Sequence, residues 1–112
     1  MSRIWKYQLN KDINREDRIN IIEMPKGAEI LCVKNQYNCP TLYAKVMPYY
    51  SEIELREFKM AHTGETILDE WKYIGTVLLD DGEYVLHIYE IPVDKNIKEK
   101  YYTARLTVRA SF

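Results

Sequence analysis

The chain is poor in the residues that most folded catalytic sites draw on. Four glycines in 112 residues leave little material for a phosphate-cradling loop. No G-x-S-x-G, H-E-x-x-H or Walker pattern occurs. Neither an enzyme nor a cofactor is expected. The two histidines, His62 and His87, stand in no ligand spacing with the two cysteines, Cys32 and Cys39, so no metal is expected either. The C-x6-C spacing is not a zinc signature, and reduced thiols are expected. No apolar run approaches the roughly 20 residues a membrane span needs. The first ten residues contain no apolar stretch of signal-peptide length. A cytoplasmic location and no membrane contact follow as expectations.

A basic stripe is missing as well. Net charge is −1, and its distribution is uneven. Residues 1–63 sum to +2, residues 64–94 to −7 and residues 95–112 to +4. Nucleic acid is therefore not an expected partner; only the tail, with Lys95, Lys98, Lys100, Arg105 and Arg109, offers a path for phosphates. An acidic middle and a basic tail suit attraction within or between chains.

What is present is β patterning. Hydrophobic residues make up 46% of the chain, enough for a core in one domain spanning 1–112. Residues 71–92, WKYIGTVLLDDGEYVLHIYEIP, read as a hairpin around Asp81-Gly82, a pair suited to a two-residue type I′ turn. Val77 and Leu79 fall on one face with Tyr73 and Gly75; Ile74, Thr76 and Leu78 fall on the other. In the returning strand Tyr84, Leu86 and Ile88 oppose Val85, His87 and Tyr89. Large apolar groups on both faces predict a central hairpin covered on both sides, at least in part.

Elsewhere, Ile4–Leu9 alternates with Trp5, Tyr7 and Leu9 together. Residues 21–24 read as a short extended piece, ended by Pro25 and a Lys26-Gly27 turn. Residues 28–36 and 41–47 form a second expected hairpin, with a loop over 35–40. The former puts Ile30 and Cys32 on one face, Leu31 and Val33 on the other. A strand is expected from about Leu55 to His62, followed by a Thr63-Gly64 turn. Thr66–Trp71 reads as one helical turn, burying Ile67, Leu68 and Trp71. Tyr101–Phe112 alternates without a break and is expected to form a long basic strand extending the domain over 95–112. The fold class is all-β and mainly antiparallel. A small sandwich or barrel of about seven strands, with one or two short helical turns, is expected.

The segments IWKYQL at 4–9, IIEMPKGAEILCVKNQ at 21–36, LYAKV at 42–46, REFKMAHTGETI at 56–67 and KYIGTVLLDDGEYVLHIYE at 72–90 carry a resemblance. In order and wording they resemble a family of small, mostly uncharacterised proteins from bacteriophage genomes and prophages. His62-Thr63-Gly64 stands where relatives would read Gly-Thr-Gly, and the strand 101–112 falls outside the similarity. The resemblance implies a phage protein in the host cytoplasm and brings no reaction with it.

The chain's ten tyrosines suit a recognition surface or a base-stacking pocket, and suit strands equally. A turn such as Thr63-Gly64 presents backbone N–H groups to an anion. Tyr43, Arg56, His62, Thr63 and Gly64 are therefore the candidate ligand-binding residues. The leading expectation is a non-enzymatic binding protein that counters a host defence. It would sequester a small nucleotide-type signal or block a host protein. The alternative is a structural or assembly accessory acting through self-association, most simply as a homodimer joined through 101–112. A small hydrolase with an unrecognised site is the third reading.

Overall fold

The computed structural model describes residues 1–10, 18–49, 52–93 and 110–111, the last two as backbone only. The described strands are β1 (Arg3–Gln8), β2 (Ile19–Pro25), β3 (Glu29–Gln36), β4 (Cys39–Val46), β5 (Ile53–Ala61), β6 (Lys72–Leu79), β7 (Tyr84–Ile91) and β8 (Ala110–Ser111). They form two four-stranded sheets, ordered β3-β4-β1-β8 and β2-β5-β7-β6, with all pairings antiparallel. The all-β, mainly antiparallel class is as expected.

Period two explains the packing, because alternate side chains on each strand point the same way. The first sheet sends Tyr7, Val33, Leu42, Ala44 and Val46 inward, and the second sends Ile22, Met24, Phe58, Met60, Val77, Leu79, Leu86 and Ile88 to meet them. Each of these is at most 5% exposed. Two inner faces sharing one apolar core make a β-sandwich.

The expected central hairpin is not central. β7 is internal, but β6 is the edge of its sheet. Only one face of the hairpin is buried; Leu78 and Tyr73 are both 55% exposed. A register shift between Tyr73 and Gly75 accounts for part of this difference. An inserted residue reverses the alternation, so Ile74 packs on the core while Tyr73 faces out. β3 behaves likewise: a shift between Ile30 and Cys32 puts Ile30 and Val33, not Ile30 and Cys32, on the core side.

The two turns exchange the lengths expected of them. Asp81 and Gly82 do occupy the centre of a turn, with φ of 56° and 91°, and Glu83 N–H donates to the Asp80 carbonyl at 3.1 Å. Asp80 is left-handed too, at φ 51°, so the ladder closes only at Leu79 and Tyr84. That connection has four residues. The loop expected over 35–40 is instead a tight turn at Tyr37-Asn38, with φ of 54° and 58°, and Gln36 pairs with Cys39. The Asn38 side chain then joins the two tips. Its Oδ1 accepts from Asp80 N–H at 2.8 Å and its Nδ2 donates to the Asp80 carboxylate at 2.6 Å.

β3 also covers the open edge of β6. Asn35 Nδ2 donates to the Leu78 carbonyl at 2.8 Å, and a Cβ on Gly75 would stand 2.8 Å from Val33 Cγ1. Glycine is required there by the close approach of the two edges. Residues 66–71 form no helical turn: Ile67 is 36% and Leu68 48% exposed, and Trp71 N–H merely closes a bend on the Leu68 carbonyl at 3.1 Å. Of the long C-terminal strand, Ala110–Ser111 pair with Lys6 and Tyr7 of β1. The expected strand over 101–109, residue 112 and the connector 94–100 lie outside the described residues. Among the described residues no helix is long and apolar enough to cross a membrane.

Candidate functional site

β5 and β7 run antiparallel with Ala61 opposite His87. That register decides the site. It sets the Thr63-Gly64 turn, just beyond the end of β5, over the outward-facing His87 on β7. Gly64 takes φ 90°, which lets the chain reverse there. Thr63 Oγ1 lies 2.8 Å from His87 Nε2, and Thr76 Oγ1 on β6 lies 2.9 Å from His87 Nδ1. Tyr73 OH, brought outward by the β6 bulge, lies 2.6 Å from Thr76 Oγ1. A neutral imidazole has one donor and one acceptor nitrogen, and either tautomer satisfies both hydroxyls.

Around this chain lies a depression of about 200 Å³, lined by Ala61, His62, Thr63, Gly64, Glu65 and Ile67 on one side and His87 and Tyr89 on the other. Tyr89 belongs to an aromatic group on the outer face, with ring centroids 5.4 Å from Tyr73 and 6.4 Å from Trp71. Glu65 fixes the loop. Its carboxylate accepts from His62 N–H at 3.2 Å and from Lys59 Nζ at 2.6 Å, and it is paired with Arg18. Burial alone would raise this carboxyl. The Lys59 hydrogen bond, the His62 N–H and the charges of Lys59 and Arg18 outweigh it and hold Glu65 below the usual carboxylate range.

Of the five candidate residues, His62, Thr63 and Gly64 line this depression. The His62 ring packs edge-on to Tyr84 at 5.0 Å, with Nε2 3.2 Å from the Tyr84 hydroxyl. Tyr43 sits in the other sheet, on β4 opposite Lys6 and Cys32. Arg56 lies six residues back along β5, about 20 Å from the turn. It shares the core-facing parity of Phe58 and Met60. Its Nε and Nη2 donate to both Glu90 oxygens at 2.6 and 2.8 Å, Nη1 donates to the Ala28 carbonyl, and the guanidinium stands 6.0 Å from the Phe58 ring centroid. Desolvation would lower its pKa, but Glu90, Glu54 and Tyr7 raise it on balance. Arg56 thus closes one end of the core. The buried Tyr7 hydroxyl nearby is pushed up by desolvation, which the Arg56 charge partly offsets.

His87, Thr76, Tyr73, Glu65 and Tyr89 were not among the expected site residues. Their proximity comes from β5–β7 and β6–β7 register, which no local pattern announces. Cys32 and Cys39 are not joined to each other, and Cys39 Sγ donates to the Leu9 carbonyl at 3.1 Å. They stand four register positions apart on paired strands, about 13 Å, beyond the reach of a disulfide.

A family model described as Domain of unknown function (DUF7352) matches residues 1–99. The chain belongs to this family. The matched span includes every residue of the depression and the Arg56–Glu90 pair, and stops short of β8. No curated protein and no solved structure matches the chain. The family's description carries no activity, so any function has to be argued from the site itself.

Proposed function

We propose that this DUF7352 protein is a non-enzymatic binding protein of phage origin. It acts in the host cytoplasm against a host defence, by holding a small nucleotide-type signal in the depression between the 62–67 loop and β7. The observation that carries the reading is His87, held between the Thr63 and Thr76 hydroxyls on the floor of an open, aromatic-edged hollow. Hydroxyls and an imidazole read the polar edge of a heterocycle or a phosphate oxygen, while Tyr89 offers a ring face to a base. At about 200 Å³ the hollow is smaller than a typical drug-sized site, which favours one ring or one phosphate over a whole extended ligand.

The Thr63–His87 contact also has the form of a hydroxyl nucleophile beside a base. Binding is preferred over hydrolysis because the second imidazole nitrogen meets the neutral Thr76 hydroxyl, not a carboxylate able to stabilise an imidazolium.

Saturation-transfer NMR against adenosine and guanosine monophosphates and cyclic dinucleotides tests the reading, with His87→Gln and Thr63→Val as variants. Binding by the wild type, lost in both variants while each still unfolds cooperatively and within about 1 kcal/mol of the wild type, is the expected result. Silence across the panel at millimolar ligand, or binding that survives both changes, overturns it. Release of inorganic phosphate or a cleaved nucleotide during the experiment would replace binding with hydrolysis.

A further inference from the structure

The outer face of the first sheet gathers charge that is dispersed in sequence. Lys6, Lys34 and Lys45 are separated by 28 and 11 positions, yet β1, β3 and β4 are hydrogen-bonded neighbours. Outward positions follow from the inward ones: Tyr7, Val33, Leu42 and Ala44 are in the core, so Lys6, Lys34, Tyr43 and Lys45 face away from it. Tyr43 pairs directly with Lys6 and with Cys32. One position along, Lys34 pairs with Thr41; on the other side Lys45 pairs with Ile4 and Glu29. The nine positions of this block hold three lysines and one acid, Glu29, at a corner. Lys34 and Lys45 are exposed, while Lys6 reaches across β4 to place Nζ 3.0 Å from Gln36 Oε1. Tyr43, half-buried, stands in the middle. At the tip of the same hairpin Tyr37 is 85% exposed. The far edge of the sheet is β8, the end of a segment whose sequence carries +4.

We infer that this face binds single-stranded nucleic acid, with Lys6, Lys34 and Lys45 on phosphates and Tyr43 as a stacking platform for a base. Amines alone would suit any polyanion. A tyrosine ring set among them is the combination that favours unpaired bases, because every base has a face to stack and duplexes do not expose it. Amines on phosphates and a stacked ring do not distinguish one base from another, so binding is expected to be tolerant of sequence. The outer face of the second sheet makes the contrast. There Lys59 is 6% exposed and its amine is spent on Glu65. The small net charge of residues 1–63 does not show the patch, because its three lysines are dispersed in sequence and meet only through strand pairing.

The test uses the full chain and fluorescence anisotropy with labelled 12-residue oligo(U) and oligo(dT). Binding is expected at 20 mM salt. Three phosphate contacts imply a log–log salt slope of about −2, so affinity falls roughly a hundredfold per tenfold rise in salt. Lys34→Glu and Lys45→Glu should each weaken binding by about tenfold. Tyr43→Leu, which keeps an apolar side chain but removes the ring, should cost roughly tenfold as well. Lys72→Glu, on the opposite sheet, should change nothing. Circular dichroism of each variant confirms the fold. No binding at 20 mM salt overturns the inference. So does equal loss with Lys72→Glu, or dependence on Lys95, Lys98 and Lys100 with none on the sheet. A doubled mass in light scattering that Lys34→Glu abolishes, with no oligonucleotide bound, assigns the face to a second copy and also overturns it.

Discussion

β5 has two polar ends, and they are put to opposite uses. At one, Arg56 turns inward and its guanidinium is consumed by Glu90 and the Ala28 carbonyl. At the other, the chain leaves the strand at His62 and lays Thr63 and Glu65 around an open hollow beside His87. The side chains of Arg56 and Glu90 are 12% and 17% exposed. A desolvated, bidentate pair of this kind satisfies itself and holds nothing for a ligand. Hydroxyls and an imidazole at a surface remain able to exchange their partners. The types of residue alone do not separate the two roles; parity along the strand does, since Arg56 falls in step with Phe58 and Met60.

The largest effect that sharpens this contrast is expected at the closed end. Arg56→Ala strands Glu90 at the edge of the core and should cost about 3 kcal/mol of stability in urea unfolding. The double change Arg56→Met with Glu90→Leu should recover most of that loss, because no charge is left buried. If Arg56→Ala instead leaves the unfolding midpoint unchanged, the pair is an exposed ornament and the contrast between the ends fails.

An intermediate effect is expected at the hairpin tip beside the open end. Gly82 has φ 91°, a region that a β-branched side chain resists. Gly82→Val should cost about 1–2 kcal/mol. Asn38→Ala should weaken the same tip, since Asn38 supplies two hydrogen bonds to Asp80, itself held at φ 51°. A melting temperature unchanged in both variants would contradict a tip laced between the sheets.

Much of the fold was legible because period two is a local signal. The core-facing sets of β1, β4 and β7 follow directly from alternation, and Gly27 and Gly64 mark real reversals. Bulges are where the reading slipped. A single inserted residue in β3 and in β6 exchanged inside for outside, and nothing in Leu31 or Ile74 announces it. The Tyr37-Asn38 turn escaped notice because neither residue is glycine, although asparagine tolerates the left-handed region. The candidate site was legible only as far as the turn. His62, Thr63 and Gly64 are neighbours in sequence, whereas His87, Thr76 and Tyr73 join them through strand register. Arg56 was grouped with the turn on chemistry alone, and its inward parity sends it elsewhere.

A small effect is expected where the open end is stripped of its hydroxyls. Thr63→Val and Thr76→Val each remove one hydrogen bond to His87 at a solvent-facing position. Each should cost no more than about 1 kcal/mol, because water can replace the lost partner. Thermal melts read this directly, and a loss as large as that of Arg56→Ala would make the hydroxyls structural and not available for a ligand.

The smallest difference at neutral pH, and the most specific, concerns Glu65. Its folded-state carboxyl is held below the ordinary 4.5 by Lys59, the His62 N–H and Arg18, against the opposing effect of burial. A group depressed in the folded state binds protons more weakly there than when unfolded. Its contribution to stability is therefore present above the unfolded value and lost as pH falls through the folded one. Wild type should lose stability below about pH 4.5. Glu65→Gln keeps an oxygen for the His62 N–H but has no proton to gain. The variant should be the less stable protein at pH 7, and the gap should close as both are unfolded at successively lower pH. Urea titrations at pH 7, 5, 4 and 3 measure it. A gap of constant size across that range would mean that Glu65 does not anchor the 62–67 loop through charge. The open end would then owe its shape to backbone alone, and the loop over His87 would be free to close on a ligand without first giving up an ion pair.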